Sequence, residues 1–267
     1  MDKGTFNKIR EIVYEKSGIA LSQGKEALVR ARIGKRMRAL NIQEHRTYLE
    51  RVLGDESGEE VVHLLDAIST NVTSFFREAN HFDFLQDVFR TWMDKGYKRF
   101  RFWSAACSTG EEPYTLAMVL REAASNYKNI DAKILATDIS TRALSVCLNG
   151  SYEEQKLKTV PKQLLNRYFE RSKNGDKVFY TVNSTLKSMI VFRRLNLSQP
   201  PFPMRGPLDA VFCRNVMIYF DNVVRKKLLD SIYSLLKPSG YLMVGHAESL
   251  TGMVSDFKSV KPAIYIK

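Results

Sequence analysis

With 267 residues the chain can hold one large domain, or a small and a larger one, and 44% apolar against 26% charged residues is the balance of a globular protein. No apolar run approaches the roughly 18 residues of a membrane span and no leader pattern follows Met1-Asp2-Lys3-Gly4, so no membrane insertion is expected. Forty-one Lys and Arg against 29 Asp and Glu leave +12, which points to an acidic partner: a protein, a nucleic acid or an anionic surface.

In chain order, residues 1 to about 70 read as a helical domain. Thr5 to Lys16 places Phe6, Ile9 and Val13 on one side and stops at Ser17-Gly18. A second helix runs from Ser22 to about Leu40, with Val29, Ile33, Met37 and Leu40 in one stripe and Arg32, Lys35, Arg36 and Arg38 around much of the rest. Residues 25–51 hold eight Lys and Arg against three Glu, a local +5 without the interleaved carboxylates of an ordinary solvated face, so this helix is a candidate docking surface. Two further helices follow near Gln43–Leu53 and Glu56–Ser69. A linker and helix then occupy 71–99, the helix near Glu78–Lys95 turning Phe82, Leu85, Val88, Phe89 and Trp92 inward.

From Phe100 to Lys267 the pattern alternates. Strands are expected at 100–106, 133–138, 189–195, 208–213 and 240–245, with helices at 111–125, 140–149 and 222–236. That alternation predicts a mostly parallel α/β sheet with helices on its faces. The stretch from about 150 to 188 is too long for a loop; a short helix after Pro161 and a turn at Asn174-Gly175 between Tyr168–Arg171 and Lys177–Val182 predict an inserted antiparallel subdomain. Cys107, Cys147 and Cys213 are odd in number, lie in apolar contexts and read as reduced thiols of a cytoplasmic protein. Neither paired cysteines nor a His-rich tract suggests a metal.

The chemistry is concentrated at Phe100 to Pro113, a strand that breaks into small residues and then opens a helix, an arrangement that lets a nucleotide-type ligand approach the backbone. The turn has neither a P-loop Lys nor three-glycine spacing, and it carries Glu111 and Glu112 where a pyrophosphate would be repelled. Twin acids there suit a cationic ligand such as S-adenosylmethionine; the competing reading is simple complementation of the helix dipole. Asp138, at the end of the next strand, is placed for a ribose or for a helix N-cap.

Segments 71–77, 104–114, 137–139, 195–197, 212–220 and 245–248, from Asn71-Val72-Thr73 to Gly245-His246-Ala247-Glu248, together resemble the chemotaxis receptor protein-glutamate O-methyltransferase family. The resemblance runs in family order over nearly the whole chain. It implies an all-α N-terminal domain and a Rossmann-like class I S-adenosylmethionine methyltransferase sheet with an inserted antiparallel β subdomain. By the same resemblance Glu111 would take the cofactor's ammonium, Arg77 its carboxylate and Asp138 its ribose. Asn71 and Thr73 would line the pocket, Asn196 and Leu197 would flank the adenine, and Arg214 and Asn215 would stand near the transferred methyl. Tyr219 and Arg214 are the expected catalytic residues, Tyr219 shaping the acceptor pocket. Val216 and Met217 replace the two prolines that follow Asn in amine methyltransferases, which argues against an exocyclic amine. The implied acceptor is a receptor glutamate, ionised at pH 7 with a pKa near about 4.3, so no catalytic histidine is expected and His246 reads as structural. Arg32, Lys35, Arg36 and Arg38 would dock on acidic methylation helices of chemoreceptors, with the chain a monomer and nucleic acid not a partner. The readings set against this are a nucleic-acid methyltransferase and a cofactor-binding module without turnover.

Overall fold

A computed structural model describes residues 1–250 and 255–267. The first helix, α1 (Lys3–Ser17), starts where the Asp2 carboxylate accepts from the Thr5 amide at 2.9 Å and ends at the left-handed Gly18. After a single 3-10 turn come α2 (Glu26–Ala39), α3 (His45–Gly54) and α4 (Glu59–Ile68). Their apolar stripes meet in one core, in which Phe6, Ile9, Val13, Val29, Ile33 and Met37 are buried. Leu40, expected in the same stripe, is only half-buried at the helix end.

α5 (Asn80–Asp94) lies on the sheet of the second domain, with the Phe89 ring 4.7 Å from that of Phe100. The sheet contains β1 (Arg99–Ala105), β2 (Asp131–Asp138), β6 (Ile190–Arg194), β7 (Leu208–Cys213), β8 (Leu236–Val244), β9 (Lys258–Lys261) and β10 (Ile264–Ile266). Its order is β6-β2-β1-β7-β8-β10-β9. Pairs among β6, β2, β1, β7 and β8 are parallel, whereas β10 pairs antiparallel with β8 and β9. The last two strands were not expected: runs of four and three residues are too short to show a period. The helices α6 (Glu111–Ala123), α7 (Thr141–Asn149) and α10 (Asn222–Leu235) connect strands of the parallel part.

The order reverses between β1 and β7, which leaves a crevice beyond their carboxyl ends. Between α7 and β6 sits a separate sheet of β3 (Ser151–Glu153), β5 (Lys177–Val182) and β4 (Phe169–Asn174), with α8 (Lys162–Tyr168) before β4 and α9 (Ser184–Lys187) after β5. β4 and β5 form the hairpin that Asn174-Gly175 signals, with Asn174 opposite Lys177. All three cysteines are free and buried.

Candidate active site

A cavity of about 600 Å³ occupies the crevice. One wall is the turn after β1, where Ala106 and Ser108 hold φ of 63° and 51°, a conformation unusual for residues with a Cβ. Asp138 fixes it: one carboxylate oxygen accepts from the Ser108 amide at 2.8 Å and the other from the Ser140 amide at 2.9 Å. Burial raises the Asp138 pKa and those amides oppose the rise. Asp138 is not the helix cap: Ser140 caps α7, accepting from the Ala143 amide at 3.1 Å, while Asp138 holds the Ser140 and Ser108 amides and lines the cavity with acceptor capacity to spare.

The twin acids part company. Glu111 is fully buried and turned towards the inserted subdomain, where Lys156 donates to it at 2.8 Å and Thr109 at 2.6 Å; it is not on the cavity wall. Glu112 is, so the acid at the cavity is the second of the pair. The reason is helical geometry, because adjacent residues point about 100° apart and only one can face the crevice. Burial raises the Glu112 pKa, against the pull of Arg214 and a 2.7 Å hydrogen bond from Ser104.

Arg214 follows β7 and is held from several sides. It donates to Glu112 at 3.1 Å, to Glu78 at 3.0 Å and to the Arg77 carbonyl at 2.5 Å, and its guanidinium carbon lies 5.4 Å from the Phe82 ring centroid. Nothing in the sequence marks Glu78, because an acid beside Arg77 near a helix start is indistinguishable there from dipole complementation. Burial would raise its pKa, but Arg214, Asn215 and the His246 amide together lower it. Asn215 sits at φ 57° beside this pair, its amide donating to Glu248 at 2.5 Å. The same buried carboxylate accepts from the Gly245 and Ile218 amides at 2.8 and 3.2 Å, so Glu248 is the template on which the loop from Arg214 to Tyr219 is folded.

Asn71, Thr73 and Arg77 line the cavity from the linker, with Arg77 donating to the Val72 carbonyl at 3.0 Å. Asn196 and Leu197 line it beyond β6. The Asn196 side chain is spent on structure, its Nδ2 donating to the Lys16 carbonyl at 2.8 Å and its oxygen accepting from Ser198. Tyr219 lines the cavity half-buried, its carbonyl accepting from the Ala20 amide at 2.8 Å. The first domain thus supplies part of the wall.

Of the four basic side chains expected to dock on an acceptor, two are engaged within the chain. Arg36 makes a bidentate pair with the buried Glu60 at 2.9 and 2.6 Å, and Arg32 donates to the Ile68 carbonyl and to Thr70. Lys35 and Arg38 remain exposed.

Glu78, His81 and His246 bring ligand atoms within 4.8 Å of one another. Burial, with Arg214 nearby, lowers the His81 pKa to about 4, so the ring is neutral at pH 7. A divalent ion there would compete with Arg214 for the Glu78 carboxylate and stand against a buried guanidinium, so the donor set does not suit a metal.

Two buried polar atoms among the lining residues have no hydrogen-bond partner, Ser108 Oγ and Arg214 Nε, as expected of a cradle whose ligand completes it. This cavity at the switch point of the sheet, with Asp138, Glu112 and Arg77 on its wall, lies in an α/β methyltransferase domain that binds S-adenosylmethionine. Residues 71–266 match the model described as "CheR methyltransferase, SAM binding domain", and residues 4–69 that described as "CheR methyltransferase, all-alpha domain". The chain belongs to the CheR methyltransferase family, and S-adenosylmethionine is its cofactor. It is 38% identical to the chemotaxis protein methyltransferase of Borreliella burgdorferi, over 99% of this chain and 94% of that one. Identity to the chemotaxis protein methyltransferase of Salmonella typhimurium is 36%, over 97% and 88% of the two chains. Identity to chemotaxis protein methyltransferase 2 of Pseudomonas aeruginosa is 37%, over 97% and 91%.

Proposed function

We propose that the chain methylates glutamate side chains of chemoreceptors, forming carboxyl methyl esters. The observation that carries this reading is the absence, among the described lining residues, of a side chain free to accept a proton. No histidine lines the cavity, and its two acids are placed for binding rather than for proton transfer: Asp138 is held by two amides with its spare acceptor capacity towards the proposed ribose, and Glu112 is held by Arg214 and Ser104 beside the proposed ammonium. An amine or hydroxyl acceptor would need such a base, whereas a carboxylate arrives already ionised.

When bound, S-adenosylmethionine supplies a methyl group on a positively charged sulfur. Glu112 is the proposed partner of its ammonium, Arg77 of its carboxylate and Asp138 of its ribose hydroxyls, while Asn71, Thr73 and Leu197 pack around it. Arg214 and Asn215, locked by Glu78 and Glu248, keep the acceptor end of the cavity in one shape, and Tyr219 borders it. Since an anion and a cation neutralise each other in the transfer, a site that excludes water and fixes the line of approach lowers the barrier. Lys35 and Arg38, with the local +5, would draw an acidic acceptor to the mouth, and that attraction weakens once salt shortens the screening length below about 8 Å.

The test uses tritiated S-adenosylmethionine with chemoreceptor membranes. Label on receptor protein that mild base releases as methanol is the expected result; base-stable label, or label on added RNA or DNA, would overturn the reading.

A further inference from the structure

Ten large apolar side chains stand exposed among the described residues, and three of them line the same cavity: Leu28 (39% exposed), Val72 (77%) and Ile218 (46%). A side chain that is both exposed and on a cavity wall lies at its mouth. These three come from α2, from the linker before Phe75 and from the loop after β7, so separate parts of the chain converge on one opening. Single exposed apolar residues are ordinary, but convergence at an opening marks a contact surface. Lys25 and Arg32 line the same cavity, which gives the apolar rim a positive flank.

We propose that this rim is an acceptor collar: Leu28, Val72 and Ile218 grip apolar side chains on either side of the target carboxylate. The inference rests on the reading under Proposed function and extends it to the acceptor's local sequence. The partner is an acidic protein segment in which the modified glutamate is flanked by apolar residues. The two features of the mouth divide the work. Charge steers the acidic segment at long range, and apolar contact holds it at short range and sheds water from the opening. The charged anchors proposed for the cofactor, Glu112, Arg77 and Asp138, belong to other positions on the wall, which leaves the collar to the acceptor.

The experiment measures initial rates with a purified chemoreceptor cytoplasmic domain as the varied substrate, using the native chain and the triple variant Leu28→Ser, Val72→Ser, Ile218→Ser. The acceptor KM should rise about tenfold or more, as expected for losing part of the burial of three apolar side chains. The factor should persist at high salt, because apolar burial is not screened, whereas the KM increase from Lys35→Glu with Arg38→Glu should shrink. Cofactor affinity by calorimetry should stay unchanged in the triple variant. An unaltered acceptor KM overturns the collar, as does a parallel loss of cofactor affinity, which would mean a deformed cavity. If the native chain places no base-labile methyl on the receptor domain, the glutamate reading falls and the collar with it. A native chain that labels the receptor beside a triple variant of equal KM sinks the collar alone.

Discussion

Glu111 and Glu112 differ by one step along α6, and that step separates a stability role from a proposed binding role. Glu112 stands on the cavity wall against Arg214; Glu111 closes an ion pair with Lys156 of the inserted subdomain. Glu112→Gln should weaken S-adenosylmethionine binding by about 10- to 100-fold, the worth of one charge-assisted hydrogen bond. Glu111→Gln should leave that affinity within a small factor and lower the melting temperature instead, because it unpairs Lys156 from a buried partner. Calorimetry and thermal melts on both variants check this, and the reverse pattern would return the ammonium contact to Glu111. The sequence showed two acids at a helix start and could not say which faces inward, because the turn before them, with its positive-φ residues, fixes the rotation of the helix. Glu248 lies in the motif Gly245-His246-Ala247-Glu248, yet its role is not legible there, because its partners are three backbone amides, which no side-chain pattern reveals.

At the scale of the element, α2 shows the same limit. Its buried stripe of Val29, Ile33 and Met37 was legible, since burial follows the helical period. Its basic residues were legible as a set, but not their division, which depends on α4 bringing Glu60 beneath Arg36. Burial would raise the Glu60 pKa, yet Arg36 pulls it below the ordinary value. Arg36→Glu should therefore act as a folding mutation, costing about 1–3 kcal/mol once the partial exposure of Arg36 is allowed for. Lys35→Glu with Arg38→Glu should leave the melting temperature nearly unchanged and raise the acceptor KM, most at low salt. Thermal melts beside receptor kinetics separate the two; a stable Arg36→Glu with a raised KM would restore Arg36 to the docking face. The parallel strands are legible where they are buried and β-branched or aromatic, as in Leu208–Cys213, while the short antiparallel strands β10 and β9 beyond β8 are not, because their pairing partners, not their sequence, make them strands.

The whole molecule depends on a seam that runs beside the cavity. Ile19 forms a β-bridge with Phe220, Ala20 donates to the Tyr219 carbonyl, Tyr14 donates to Asp221 at 2.5 Å, and Asn196 donates to the Lys16 carbonyl. The helical domain is thereby tied to the two stretches proposed for the acceptor and the adenine. Gly18 sits in that seam without room for a side chain: its φ is +72°, and a Cβ there would lie 2.5 Å from Cβ of Ser198. Gly18→Ala should force the segment Asn196–Ser198 outward and weaken cofactor binding by about tenfold, and it should lower the melting temperature, with roughly 1 kcal/mol of the lost stability coming from left-handed backbone strain alone. Gly175→Ala supplies the comparison, since Gly175 has φ +59° but nothing within 4 Å of its Cβ position. It carries the same backbone strain far from the seam and should leave cofactor affinity unchanged. If both variants lose similar stability and neither loses cofactor affinity, the helical domain is attached to the cavity without shaping it. If only Gly18→Ala loses affinity, the first domain is part of the cofactor site, and its docking on an acceptor can be felt at the methyl-transfer end through Tyr219.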